Sequence, residues 1–269
     1  MPVLRSHVIN GRAVVPMALI IEWLAHGAMH DNPGLLFAGF DDLRIFKGII
    51  LDPDAAHGIE VSAGLAVADE DQEIVPVELR GGATLHARAN IRLTSRHGRA
   101  EPGSPPGGLR PYPQSADEIY AGERLFHGPD LHGIEAVEGC GEAGIIGRAK
   151  AAPHPAVWID QPLRSAWLAD PLALDAAFQL AILWCQERRG AGSLPTSAAR
   201  YRQFRRAFPA AGTRIVLRLS RVTDHAAAAD IDFLDSAGDL VARMEGYECV
   251  IDPSLCDAFA RNQLVPQGR

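Results

Sequence analysis

Cysteine is scarce in this chain: four in 269 residues, Cys140, Cys185, Cys249 and Cys256, none in C-x-x-C spacing. That argues against a zinc ribbon or a disulfide framework and fits reduced thiols in a cytoplasmic protein. There is no surplus of positive charge either, with 26 Lys and Arg against 33 Asp and Glu and a net charge of −7. A nucleic-acid partner is therefore not expected, because nothing gathers cations to replace phosphate counterions. The one dense basic run, RYRQFRR at 200–206, reads as a solvated strand or loop face. Long apolar runs are missing too. The longest uncharged one, Ala13 to Ile21, is far short of the roughly 20 residues that cross a bilayer, so no membrane is expected. The first twenty residues carry no basic region followed by a cleavage site.

What the chain does have is 47% hydrophobic residues, enough for a sizeable core. Residues 98–115, GRAEPGSPPGGLRPYPQS, hold five prolines and four glycines. So many breakers predict a surface linker without regular structure. The chain then divides into a half at 1–97, the linker at 98–115, a half at 116–255 and a tail at 256–269.

Each half repeats one plan. Met17, Ile20, Ile21, Leu24 and Ala28 form one apolar helical stripe, with Pro16 suited to its first turn. Three stretches separated by breakers, 57–69, 72–80 and 83–95, read as antiparallel strands. In the second half Leu174, Phe178, Ala181, Ile182 and Cys185 form the matching stripe, opened by Asp170 as N-cap and Pro171 behind it. Strands follow at 213–223, 226–236 and 239–251, the last two joined by a hairpin turn at 236–239. The expected fold is α+β: helices near 16–30 and 172–188, wrapped by antiparallel meanders at 58–94 and 214–250.

Three stretches could carry chemistry. His7, Gly11 and Pro16 stand in the spacing H-x3-G-x4-P just before the first helix. A lone histidine is most often structural, but this loop aims an imidazole at the positive end of a helix. Gly11 allows a tight turn or close approach to a ligand, and amides there could receive a carbonyl oxygen as it gains charge. Asp175 and Gln179 are four apart and share a helix face amid apolar neighbours. Desolvation raises such a carboxyl's pKa while the nearby helix N-terminus lowers it, and both outcomes stay open. His127-Gly128-Pro129 is a turn signal. His26 and His30 have the i, i+4 spacing of zinc ligands, but no third ligand is evident and no metal is expected.

In this order, H-x3-G-x4-P in the first half, G-P in the middle and D-x3-Q on the second helix resemble the dehydratase domains of modular polyketide synthases and polyunsaturated fatty acid synthases. The resemblance runs from Arg5 to about Asp252. It implies a tandem (double) hot-dog fold, each half a central helix wrapped by an antiparallel sheet. It also implies His7 as base and Asp175 as acid, facing each other across the halves, with Gln179 orienting Asp175 or a water. Gly128 and Pro129 would shape the substrate tunnel wall, and Gly11, Pro16 and His127 would belong to the same binding site. The implied reaction converts 3-hydroxyacyl thioesters to trans-2-enoyl thioesters. No cofactor is implied beyond the phosphopantetheine of an acyl carrier protein that bears the substrate. Acyl carrier protein and neighbouring synthase domains are the implied partners, and a homodimer is allowed.

The chain departs from the family in two places. His127 stands where the family carries tyrosine, so an imidazole that titrates near pH 6–7 is expected in the tunnel. The chain also begins almost at His7, which suggests a segment of a megasynthase whose first unit is short of a strand. Two further readings stay open. One is a product-template-like aldol cyclase, and the other is a non-catalytic carrier-protein docking or scaffold domain. Turnover of a 3-hydroxyacyl thioester separates all three.

Overall fold

The computed structural model describes residues 1–51, 58–122 and 124–265. His57, at the start of the first expected strand, and residues 266–269 of the tail lie outside the described residues.

The chain opens with a 3-10 turn, Pro2–Ser6, and a small hairpin of β1 (Val8–Ile9) and β2 (Arg12–Ala13). Helix α1 (Met17–His30) follows, then β3 (Leu36–Ile45), β4 (Ile59–Ala63), β5 (Val67–Asp69), β6 (Gln72–Gly81) and β7 (Thr84–Thr94). The second half begins with α2 (Ala116–Ala121), β8 (Ile134–Gly141), β9 (Gly144–Ala149) and α3 (Pro155–Trp158). It continues with α4 (Pro171–Arg189), β10 (Gly192–Gln203), β11 (Thr213–Val222), β12 (Ala226–Leu234), β13 (Leu240–Asp252) and α5 (Ser254–Ala260).

The two central helices form where the periodicity predicts them. Asp170 accepts hydrogen bonds from the N–H groups of Leu172 and Ala173, Pro171 takes the first helical position, and Gly190 ends α4 at φ 62°. Such a cap contributes about 1 kcal/mol. Every residue from Pro171 to Cys185 is buried, as a helix wrapped by a sheet requires. Pro16 sits one position outside α1, in extended backbone, with Met17 as the first helical residue.

The large sheet is antiparallel, in the order β4-β6-β7-β3-β10-β13-β12-β11-β9-β8, with β5 alongside β6. Among the described residues the first half places four strands on this path and the second half six. The architecture is the tandem hot-dog fold: one sheet runs through both halves, with α1 and α4 packed against it and against each other.

The halves join where β3 pairs with β10, from Ser197 opposite Arg44 to Arg202 opposite Gly39. Asp41 on β3 pairs with Arg92 of β7 and Arg202 of β10, tying three strands together. The basic run alternates around this seam. Tyr201 and Gln203 point inward and are buried, while Arg200, Arg202 and Arg205 find carboxylates in Glu245, Asp41 and Asp235. Only half of the run is therefore the solvated face expected from its charge.

Residues 98–115 form no helix or strand, but they are pinned at several points from Glu101 onward. The Gly103 N–H donates to buried Asp232, and Arg110 makes an antiparallel bridge to Cys140. Exposed Arg99 precedes these anchors. Limited trypsin digestion should therefore cut first after Arg99, with Arg188 and Arg189 at the end of α4 surviving longer. Early cleavage at Arg188 would contradict this order. Among the described residues no helix is long and apolar enough to cross a membrane.

Candidate active site

The 3-10 turn delivers His7 to the boundary between the halves. His7 forms an antiparallel bridge with His127, and the Gly128 N–H donates to the Ser6 carbonyl at 2.8 Å. A side chain at Gly128 would press on Ser6, its Cβ only 3.0 Å from Cα of Ser6. Gly128 and Pro129 therefore dock the His127 turn against Ser6, and Pro129 is exposed. They lie beside the cavity but do not line it, contrary to the tunnel-wall expectation.

Gly11 also serves elsewhere than expected. Asn10 and Gly11 have φ of 51° and 76°, the Asn-Gly turn that a tight hairpin prefers. The Gly11 N–H donates to the Arg261 carbonyl at 2.8 Å, and its own carbonyl accepts from Val265. A Cβ there would lie 2.7 Å from the Val265 side chain. Gly11 is thus a clamp between the His7 hairpin and the C-terminal tail, and its amide is not available to a substrate. Pro16 accepts the N–H groups of Leu19 and Ile20, while Met17, not Pro16, reaches the cavity.

His7, His127 and Asp175 do converge. Their ligand atoms lie within 4.8 Å of one another, and all three residues are buried. They stand at one end of a cavity of about 180 Å³ whose other walls include Ile20, Phe178 and Ile182. A larger cleft of about 830 Å³ lies at the far end of α1, near Met29 and Trp167, and contains none of these groups. Convergent buried titratable side chains, not volume, mark the site.

The hydrogen bonds define what each group can do. His7 Nδ1 lies 2.7 Å from the Val14 carbonyl. A carbonyl can only accept, so Nδ1 carries the proton and Nε2 is left as a free base. Burial lowers the His7 pKa to about 4, against the raising effect of that bond. Burial drives Asp175 the other way, to about 7, although the bond from Gln179 favours its anion. Desolvation therefore wins over the helix end, the question its sequence left open. His127 Nε2 lies 3.3 Å from Asp175 Oδ2. Its pKa is held well below 6.5 by burial first, then by His7 and His132. The expectation that His127 titrates near pH 6–7 is corrected accordingly. Below about pH 7 it meets Asp175 as neutral imidazole against neutral acid.

Gln179 is fully buried and donates to Asp175 Oδ2 at 2.7 Å and to the Leu131 carbonyl at 2.9 Å. Its Oε1 accepts from the Tyr120 hydroxyl at 2.7 Å, and that hydroxyl accepts the Ile134 N–H. Sequence reasoning missed Tyr120. A signal was available: Ser115 and Glu118 form a capping box that opens α2 and sets Tyr120 on its inner side. Tyr120→Phe leaves Gln179 Oε1 and the Ile134 N–H without this partner. It should cost about 1–3 kcal/mol in urea unfolding, and an unchanged midpoint would show that other partners replace the hydroxyl. Among the described residues His26 and His30 belong to no group of three such donors: His26 contacts Glu22, and His30 is exposed at the far end of α1.

Comparison with known proteins shows what the chain is similar to. The family described as polyketide synthase dehydratase N-terminal domain matches residues 96–251. A polyunsaturated fatty acid synthase polypeptide of Thraustochytrium sp. is 31% identical over 211 residues, which is 75% of this chain and 7% of that one. This chain thus spans a small fraction of the curated relative that it matches. The dehydratase domain of the CurF module of the curacin polyketide synthase superposes with a TM-score of 0.70 at 17% identity, covering 93% of this chain and 88% of that one. The dehydratase domain of PpsC from Mycobacterium tuberculosis, in complex with C12:1-CoA, gives 0.67 at 19% identity, covering 94% and 90%. These structures share the fold.

Proposed function

Because the chain belongs to the polyketide synthase dehydratase family, we propose that it removes water from 3-hydroxyacyl thioesters, with His7 as base and Asp175 as acid. One observation carries the reading. A neutral imidazole with a free Nε2 and a carboxyl raised to about 7 lie within 4.8 Å at the end of an apolar cavity.

The weakly acidic C2 proton passes to His7 Nε2, and its electron pair moves toward the thioester carbonyl and then forms the C2=C3 bond. Hydroxide is a poor leaving group, so Asp175 gives its proton to the C3 oxygen, which departs as water. The enzyme is left as imidazolium and carboxylate. A proton moving from His7 to Asp175 resets it, downhill from a group titrating at about 4 to one at about 7. Gln179 and Tyr120 hold the acid in place, and the dry apolar wall keeps it protonated.

The substrate would arrive on the phosphopantetheine of an acyl carrier protein, with neighbouring synthase domains supplying and consuming it. The match to a small part of a much longer synthase polypeptide supports that setting. A cytoplasmic location suits the four free cysteines, three of them buried. The assay is formation of conjugated enoyl thioester from a 3-hydroxyacyl carrier-protein substrate or a short thioester mimic. A chain that binds the thioester and never releases water would favour the docking reading instead.

The pH dependence has a definite sign. His7 must be unprotonated, so activity falls as pH drops through about 4. Asp175 must be protonated, so activity falls as pH rises through about 7. The kcat/KM profile should therefore form a bell with a plateau on the acid side of neutrality. A profile still rising at pH 8 would remove Asp175 as the acid.

A further inference from the structure

The cluster that does this acid–base work also has the makings of a metal site. We propose that His7, His127 and Asp175 together bind one zinc ion, which shuts the site by occupying its base and its acid. Histidine at position 127 is central to this, since it makes the set two imidazoles and a carboxylate. That is the N,N,O donor set of open zinc sites, with a fourth position left for water.

The structure supports the donors individually. His7 Nδ1 is anchored to the Val14 carbonyl, the contact that fixes a metal-binding imidazole and presents Nε2. Asp175 is anchored through Oδ2 by Gln179, which leaves its second oxygen free of that bond. The second ring lacks such an anchor: His127 Nδ1 is buried with no hydrogen-bond partner. An orphaned buried nitrogen is a standing cost, and it leaves this ring without a bond that would hold it away from a metal.

Zinc bonds of about 2.0–2.2 Å require the donors to close to roughly 3.4 Å from one another. They start within 4.8 Å, so side-chain rotation is sufficient. Among the described residues no other group of three such donors comes together.

The proposal rests on the dehydratase reading only for its consequence, inhibition. The test uses the whole chain stripped with EDTA and titrated with Co²⁺, then Zn²⁺. One equivalent of Co²⁺ should bind with the visible bands of a low-coordinate centre, and Zn²⁺ should displace it. His7→Phe and His127→Phe should each weaken binding by more than about tenfold, whereas His30→Ala, at the far end of α1, should not. If His127→Phe fails to fold, His127→Tyr takes its place. Zinc should inhibit thioester turnover, and EDTA should restore it. No cobalt spectrum in the wild-type chain would overturn the metal site while leaving a turnover-competent dehydratase intact. Undiminished binding by both histidine variants would overturn it as well. If the chain proves inactive toward thioesters, the cobalt titration still decides the metal site.

Discussion

His7→Ala is expected to abolish enoyl thioester formation while the protein stays folded. The loss of a general base costs on the order of 10²–10⁴-fold, and alanine offers no other proton acceptor at this position. The fold should survive because the contacts that seat His7 are largely backbone. Its bridge to His127 and the Val14 N–H bond to its carbonyl both remain. What disappears is one side-chain hydrogen bond to Val14, worth about 1 kcal/mol, and the edge contacts of the ring with Phe126 and His127 beside the cavity. Asp175→Asn keeps the shape, and its amide oxygen can still accept from Gln179, but it has no proton to give. It too should be nearly inactive. Base and acid act in a single elimination, so the double variant should be little worse than either single one. Circular dichroism and thermal melting check the fold, and absorbance of the conjugated thioester checks the chemistry. An active Asp175→Asn enzyme would sink the assignment of the acid. Additive losses would mean that the two residues serve separate steps.

Gly39→Val should produce the largest loss of stability of any single change considered. Gly39 sits on β3 at φ 139°, a conformation that L side chains rarely adopt. A Cβ built there would lie 1.9 Å from the Tyr201 carbonyl oxygen on β10. That atom is backbone at one end of the seam, hydrogen-bonded into the sheet, and cannot swing aside. Strained dihedrals cost about 1–3 kcal/mol, and overpacking adds a similar amount. The sum is on the order of 2–6 kcal/mol against a total stability of roughly 5–15. The seam should open before either half unfolds, because the clash falls on the strand pair that joins them. Urea unfolding with a probe in each half would show this. A midpoint close to wild type would mean that β3 and β10 shift at little cost.

The division between what sequence and tertiary structure each contributed follows from the range of the interactions. Helices α1 and α4 were legible because 3.6-residue periodicity and caps such as Asp170, Pro171 and Gly190 act within a few residues. Strands β6, β7, β11, β12 and β13 were legible because alternation is local as well. His7 and Asp175 were singled out by their motifs, each on its own segment, and the roles proposed for them came from the family resemblance. Strands β3 and β10 were not read. One carries Gly39, Asp41 and Asp42 in its middle, and the other holds Pro195 beside a register shift. Neither sequence favours a strand; each becomes one by pairing with the other across the halves. Gly11 reads as a ligand-side glycine until the tail around Val265, far along the chain, packs onto it. Tyr120 acquires its role only when α2 folds against Gln179. The protonation states depend on the tertiary structure most of all. The same carboxyl could titrate low beside a helix end or high in an apolar wall. Burial in the folded chain is what raises Asp175 to about 7.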